Sequence, residues 1–175
     1  MIHALRRIML AALLVPAAGT ALSGCGFQPM YAESTQNAAA DRLAAIDVTA
    51  PHSPLGREIQ YDLFNAMNAQ GLAPSSPLYQ LNISPAYYEQ DVAVELNTNV
   101  SRRNYVLVTQ FVLVDLQTNK PVFSGSSRSS SSYNRFESEF ANLSASEGAM
   151  KRTSQAVADD IKTQLAVYFT RENGK

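Results

Sequence analysis

The 175-residue sequence contains one cysteine, Cys25, and two histidines, which limits the chemistry open to it. Without a second cysteine an intramolecular disulfide is excluded, so stability must come from the core. The sequence shows neither metal-ligand spacing nor a glycine-rich phosphate loop, and we expect no metal and no cofactor. The net charge is −1, so no basic excess indicates a nucleic-acid partner.

The longest apolar stretch lies near the N-terminus, from Ile8 to Leu22, and is interrupted by a proline and a glycine. It is too short for a confident membrane-spanning helix, which needs about 20 apolar residues. Two arginines, Arg6 and Arg7, precede it and small residues follow it. This order is typical of a secretory signal, with a basic region, an apolar region and a cleavage site. We predict that residues 1–24 are a signal peptide.

The residues at the predicted cleavage site are Leu22-Ser23-Gly24-Cys25. They resemble the lipobox of bacterial lipoproteins, which implies that the Cys25 sulfur carries a diacylglyceryl group and that cleavage frees an amine for acylation. Gly26 stands where an aspartate marks retention at the inner membrane in that family, so the resemblance implies passage to the outer membrane. The alternative is an ordinary signal peptide followed by a free thiol.

The seven residues Cys-Gly-Phe-Gln-Pro-Met-Tyr, from Cys25 to Tyr31, carry a second resemblance. They are similar to the Cys-Gly-Phe-Arg-Pro-Leu-Tyr opening of the LptE family of lipopolysaccharide-assembly lipoproteins, from which Gln28 and Met30 depart. The alternative is a tether whose aromatic side chains rest at the membrane interface. The resemblance implies a small α+β domain in a lipid-anchored protein.

The sequence after Tyr31 divides into a tether and one domain. Residues 25–42 form the lipidated N-terminus and a flexible spacer, because 32–42 are polar, alanine-rich and without a usable period. Residues 43–175 form one domain, which is long enough to bury a core.

Periodicity predicts the elements of that domain. A short strand over 43–49 precedes a helix over 54–70, which Ser53 caps. One strand follows over 78–95 and is bulged or at a sheet edge near Pro85. Another follows over 105–116 and is apolar on both faces, which predicts a central position. The segment 122–134 is serine-rich and is either an edge strand or a flexible linker.

A capping box at Ser144 to Glu147 predicts a final helix from Ser144 to about Arg171. Its predicted length of about 40 Å matches that of the central strand. The order of elements predicts an α+β two-layer sandwich, with two helices packed on a small mixed four-stranded sheet. This is also the order that the LptE resemblance implies.

The mature chain shows little sign of catalysis, and we expect that the protein is not an enzyme. His52 lies beside Ser53, but sequence neighbours seldom have the geometry of a base and its nucleophile, and Ser53 is expected to cap a helix. Asp159 and Asp160 are consecutive in a helix, so they point in different directions and form a solvated face.

Four arginines are the candidate ligand-binding residues. Arginine pairs well with phosphates, and an apolar sheet face with arginines at its rim would suit a phosphorylated lipid. The alternative is four solvated surface side chains. We predict a lipopolysaccharide site from charge and topology; its residues are Arg102, Arg103, Arg128 and Arg135.

The LptE resemblance implies an outer-membrane lipoprotein of a Gram-negative cell that faces the periplasm. It implies a protein that plugs the LptD β-barrel, assists its assembly and takes part in lipopolysaccharide transport to the outer leaflet. The partners are then an LptD-type barrel, lipopolysaccharide and the membrane. The alternative is a lipid-anchored periplasmic transport-accessory or ligand-binding module without a barrel partner.

Overall fold

In the computed structural model, which describes residues 33–68, 74–94 and 101–173, three helices and four strands form one fold with a single four-stranded sheet. The elements are α1 (Glu33–Ala44), β1 (Ile46–Thr49), α2 (Pro54–Met67), β2 (Tyr79–Val94), β3 (Ser101–Asp115), β4 (Lys120–Arg135) and α3 (Glu139–Asn173). The predictions for the signal peptide and for Cys25 lie outside the described residues.

The sheet is mixed, as predicted. Its order is β1-β2-β3-β4, with β1 parallel to β2 and the other pairs antiparallel. A four-residue turn joins β3 to β4, where the Asp115 carboxylate accepts hydrogen bonds of 2.8 Å from the amides of Gln117 and Thr118. The same turn places Asn119 at a φ of 54°. The predicted α+β fold is confirmed.

The central position predicted for β3 is confirmed, because β2 and β4 flank it. On one face its side chains enter the core, and Leu107, Phe111 and Leu113 are almost completely buried. On the other face Val112 is exposed, and neither α2 nor α3 packs there. The part of the chain that the structure describes therefore forms two layers, and within it no helix covers the second face of the sheet. We call this second face the open face.

Among the described residues, the strand β2 has an unpaired edge over most of its length. Because β1 ends at Thr49, it pairs with β2 only as far as Asn82. Pro85 follows this point and lies in regular register with Thr109 of β3, so it sits at a sheet edge without a bulge. The register shifts only later, between Asp91 and Ala93.

The serine-rich segment is a strand. β4 pairs with β3 along its whole length and has no partner on its other side among the described residues. Small hydroxyl side chains alternate between the two faces, and Ser127 is buried beneath α3. The edge-strand prediction is confirmed over the linker alternative.

The first described helix corrects the prediction of a spacer over 32–42. α1 occupies 33–44 and packs on the core through Ala39 and Leu43. These two residues are one helical turn apart, and the alanines around them favour helix. Arg42 fixes its last turn to α3 through an ion pair with Glu172 of 2.6 Å. Among residues 39–44, whose side chains the structure describes, Ala39 and Leu43 are the buried ones, which is too few to give the sequence a clear period.

The final helix begins five residues earlier than the capping box predicts. The Ser138 hydroxyl accepts from the Ala141 amide at 3.4 Å, and the Asn142 side chain bonds the backbone of Phe136. α3 therefore begins at Glu139 and contains 35 residues, which corresponds to about 52 Å. The strand β3 has 15 residues and a similar length of about 50 Å.

The N-cap prediction for α2 is confirmed, since Ser53 Oγ accepts from the Gly56 amide at 3.0 Å. The predicted apolar stripe is buried at Leu55, Ile59, Leu63 and Met67. The helix ends at Met67, three residues before the predicted end.

Candidate functional site

Three of the four candidate arginines lie at one end of the sheet. Arg102 is paired with Asn134, and Arg135 with Ser101, so both stand beside Arg103 where β3 begins and β4 ends. Arg128 pairs with Val108, six residues from Arg102 along β3, which corresponds to about 20 Å. The topology therefore groups three of these arginines and leaves Arg128 apart.

The guanidinium group of Arg103 is held by carboxylates of β2. Its Nε lies 2.6 Å from Oδ1 of Asp91, and its Nη1 lies 3.2 Å from Oε2 of Glu89. The hydrogen bond to Asp91 raises the pKa of Arg103 above its ordinary value. Glu89 also accepts from the hydroxyls of Tyr133 and Ser146 at 2.8 and 3.0 Å. The Glu89 carboxylate thus joins β2 to Arg103 of β3, to β4 and to α3.

Arg102 and Arg128 occupy the open face instead, because consecutive strand residues point to opposite sides. Arg128 donates from Nη2 to the Tyr88 hydroxyl at 2.7 Å. Tyr88 and Val106 are paired neighbours, so the Arg128 side chain crosses β3 and helps to bury Val106. Arg102 is exposed and forms no ion pair within the described part of the chain. Arg102 therefore has the most accessible guanidinium group at this end.

Three apolar side chains are exposed at the same end of the molecule, where α3 begins. Phe136, Phe140 and Leu143 are 48%, 82% and 59% exposed. Phe140 and Leu143 are three residues apart and share one side of the helix. We call these three residues the α3 tip. Sequence reasoning did not single them out, although their spacing and position beside Arg135 were visible.

A groove of about 750 Å³ lies on the helix side of the sheet, beside the unpaired edge of β2. Its walls are the start of α2 and one turn of α3, and its floor is the sheet. The lining residues are Ser53–Leu55, Pro85–Tyr87, Glu89, Tyr105, Ser146, Glu147 and Met150. We call it the β2 groove.

Two stacked tyrosines form the floor of the β2 groove. The ring centroids of Tyr87 and Tyr105 are 4.9 Å apart, and their planes differ by 8°. Tyr105 is buried, whereas Tyr87 is 57% exposed, so one face of its ring is open to the groove. Burial, Tyr87 and Glu89 together raise the pKa of Tyr105, so its hydroxyl stays neutral at ordinary pH. Sequence reasoning missed this site, because the site forms where β2 extends beyond the part of the sheet that α2 covers.

Ser53 and Asp160, whose side chains could in principle serve catalysis, take part in hydrogen bonds that stabilise helices. The Ser53 hydroxyl caps α2, and its neighbour His52 is exposed on the preceding loop. Asp160 accepts from the Gln164 side chain at 2.9 Å. Within the residues described, no group of three or more His, Cys, Asp or Glu side chains could hold a metal ion.

The comparisons with known proteins identify the fold. A candidate lipoprotein of Caulobacter crescentus CB15 has a similar structure with a TM-score of 0.64 and 21% identity, covering 77% of this chain and 97% of its own. Rare lipoprotein B from Shewanella oneidensis has a TM-score of 0.55 and 12% identity, covering 73% and 96%. No family model and no curated protein matches the sequence. The chain therefore shares the fold of these two proteins.

None of the helices in the described ranges is long and apolar enough to cross a membrane.

Proposed function

We propose that this chain is a lipid-anchored outer-membrane lipoprotein of the LptE type. In this proposal Cys25 carries the lipid, the folded domain faces the periplasm, and the domain plugs an LptD-type β-barrel and assists its assembly. The protein then takes part in moving lipopolysaccharide to the outer leaflet. It acts as a binding and structural protein rather than as an enzyme.

The observation that carries the proposal is the long polar edge of β4 next to the open face. β4 spans Lys120–Arg135, and on the open face it presents serines and Arg128 beside the valines of β3. The lumen of a large outer-membrane barrel is polar, so such a surface can lie against it without exposing a large apolar area when free. The motif from Cys25 to Tyr31 and the fold shared with two proteins described as lipoproteins support the same proposal.

The four arginines retain their proposed role in lipopolysaccharide contact. Their surroundings differ, so some could bind a lipid phosphate more readily than others. Arg102 is exposed and forms no ion pair in the described structure, so it can bind a phosphate without first breaking another interaction. Arg103 would first have to leave Glu89 and Asp91. We therefore expect Arg102→Gln to weaken lipopolysaccharide binding with an unchanged fold.

The anchor is tested by fractionating membranes from cells that carry Cys25→Ser. Loss of the protein from the membrane fraction supports the lipid anchor. Retention at the level of the original protein would contradict it. Ser23→Ala, which keeps a small residue beside the cysteine, is the matched control and should remain membrane-bound.

The barrel partner is tested by purifying the C-terminally tagged full-length protein from its own outer membranes in mild detergent. A large β-barrel recovered in equal amount supports the plug. A folded, membrane-bound protein that elutes alone would overturn it. That second result would favour a free-standing ligand-binding module, a role for which the β2 groove provides a cavity.

A further inference from the structure

The β2 groove combines an open aromatic face with an excess of negative charge. Three carboxylates stand in or beside it, and they belong to Glu89, Asp91 and Glu147. Arg103 pairs with the first two. The Glu147 carboxylate has no hydrogen bond or ion pair within the described residues, and the Lys151 ammonium group one turn further along α3 does not pair with it. Of these three carboxylates, that of Glu147 is therefore the one left without a paired cation in the described structure.

The aromatic floor adds a second attraction for positive charge. One face of the Tyr87 ring packs on Tyr105, and the other is open to the groove. The face of an aromatic ring carries negative electrostatic potential and attracts ammonium and guanidinium groups that lie within about 6 Å. Stacking on a buried partner fixes the orientation of the Tyr87 ring before any ligand arrives, which lowers the entropy cost of binding.

Apolar side chains line much of the rest of the groove and offer contact to a short aliphatic chain. Leu55 and Pro54 line one side, Pro85 lines the floor, and Met150 lines the other side. The volume of about 750 Å³ lies in the range of small-ligand sites. A ligand with an apolar stem and a cationic end can cover these walls and still reach Glu147.

We propose that the β2 groove binds a guanidinium or ammonium group carried on a short apolar stem, with the cation between the open face of Tyr87 and the Glu147 carboxylate. This inference goes beyond the proposed lipoprotein function and needs neither the lipid nor the barrel. It rests on the placement of residues from α2, β2, β3 and α3 around one cavity.

The test uses the full-length protein in mild detergent with tyrosine rings labelled for NMR. The probe is N-acetyl-arginine amide, and its uncharged isostere, N-acetyl-citrulline amide, is the control ligand. We expect the arginine compound to shift the Tyr87 and Tyr105 signals and to bind at least about tenfold more tightly than the citrulline compound. Equal binding of the two compounds, or shifts confined to tyrosines outside the groove, would overturn the proposal.

Matched variants locate the cation. Glu147→Gln should weaken binding of the arginine compound by about three- to tenfold, whereas Glu139→Gln, on the same helix outside the groove, should not. Tyr87→Leu keeps apolar bulk and removes the ring face, so it should weaken binding by a similar factor. Tyr61→Leu, which changes an exposed tyrosine of α2, is its control. An unchanged affinity in Glu147→Gln would contradict the assignment even if Tyr87→Leu did not fold.

The same measurement distinguishes a small cation from an arginine in a peptide. The unpaired edge of β2 begins at Ile83 and runs beside the groove, so a peptide could add backbone contacts there. A gain of about tenfold for the pentapeptide Ala-Ala-Arg-Ala-Ala over the amide would assign the site to a basic segment of a protein partner. Equal affinities would assign it to a small organic cation.

Discussion

The ring of Phe111 packs against the α-carbon of Gly125, its paired residue on the neighbouring strand. A Cβ at residue 125 would lie 2.6 Å from Cζ of Phe111 and 2.8 Å from Oε1 of Gln164. Phe111 is almost completely buried and its ring is enclosed by the core, so it cannot move aside easily. Gln164 of α3 donates to the Ser126 carbonyl at 3.1 Å. The missing side chain thus allows sheet and helix to approach closely.

The first prediction follows from this contact. Gly125→Ala should lower the free energy of unfolding by about 1–3 kcal/mol, because the added methyl group must displace the Phe111 ring or the Gln164 side chain. Urea unfolding measures the change. Ser129→Ala, on the same face of β4, should change stability by less than about 0.5 kcal/mol. Equal stabilities of the two variants would show that the contact is loose.

The second prediction compares two neighbours on opposite faces of β3. Arg103→Gln should lower the free energy of unfolding by up to about 1 kcal/mol, because partly exposed ion pairs with Glu89 and Asp91 are lost. Arg102→Gln should leave stability unchanged, since its side chain is exposed and unpaired in the described structure. The difference should shrink in about 1 M salt, which screens the ion pairs. A larger loss in Arg102→Gln would reverse the assignment of the two faces.

The third prediction concerns Asp62, which lies between α2 and α3. Burial, Glu58 and Asp159 raise its pKa from 3.8 to about 6, and its Oδ2 atom is buried without a hydrogen-bond partner. Between pH 3.8 and 6 the folded protein holds a proton that the unfolded chain has released, so this group makes stability fall as pH rises through that window. Above this window the charged carboxylate opposes the packing of the two helices.

Asp62→Asn should therefore raise the free energy of unfolding at pH 7.5, by up to about 1 kcal/mol because solvent screens part of the repulsion. The advantage should vanish near pH 4, where the original carboxyl group is protonated in the folded state. Urea unfolding at pH 7.5 and at pH 4 measures the difference in the free energy of unfolding between the variant and the original protein. Asp47→Asn, which makes the same change at an exposed position of β1, is the matched control. An advantage of the same size at both pH values would exclude titration of Asp62 as its cause.

The sequence predicts most reliably those elements in which apolar side chains enter the core at regular intervals. The alternation along β3 and the stripe of α2 predict their buried faces, because period and burial coincide there. α1 escapes this test, because within its described side chains, from Ala39 onward, Ala39 and Leu43 are the two that are buried in the core. The true start of α3 at Glu139 escapes it as well, since a capping box that satisfies the sequence rule lies within the helix.

The candidate site could be predicted only where it depends on local order. The opposite orientation of Arg102 and Arg103 follows from the strand period alone. The pairing of Arg103 with Glu89 depends on the register between β2 and β3, which no local pattern gives. The stacking of Tyr87 on Tyr105 depends on the same register. It also depends on the point along β2 beyond which α2 no longer covers the sheet. Such sites arise from tertiary packing, and the spacing of their residues carries no signature.

The fourth prediction separates two phenylalanines of α3. Phe169 is fully buried against Tyr79, and Phe169→Ala should lower the free energy of unfolding by about 3–5 kcal/mol. Phe140 is 82% exposed, so Phe140→Ser should change stability by less than about 0.5 kcal/mol.

An exposed aromatic side chain beside two other exposed apolar residues is typical of a contact surface. In the proposed complex, Phe140→Ser should reduce the amount of barrel that is recovered with the protein, although the domain remains folded. Full recovery of the barrel with a stable Phe140→Ser variant would exclude the α3 tip from that interface and leave the polar edge of β4 and the open face to form it.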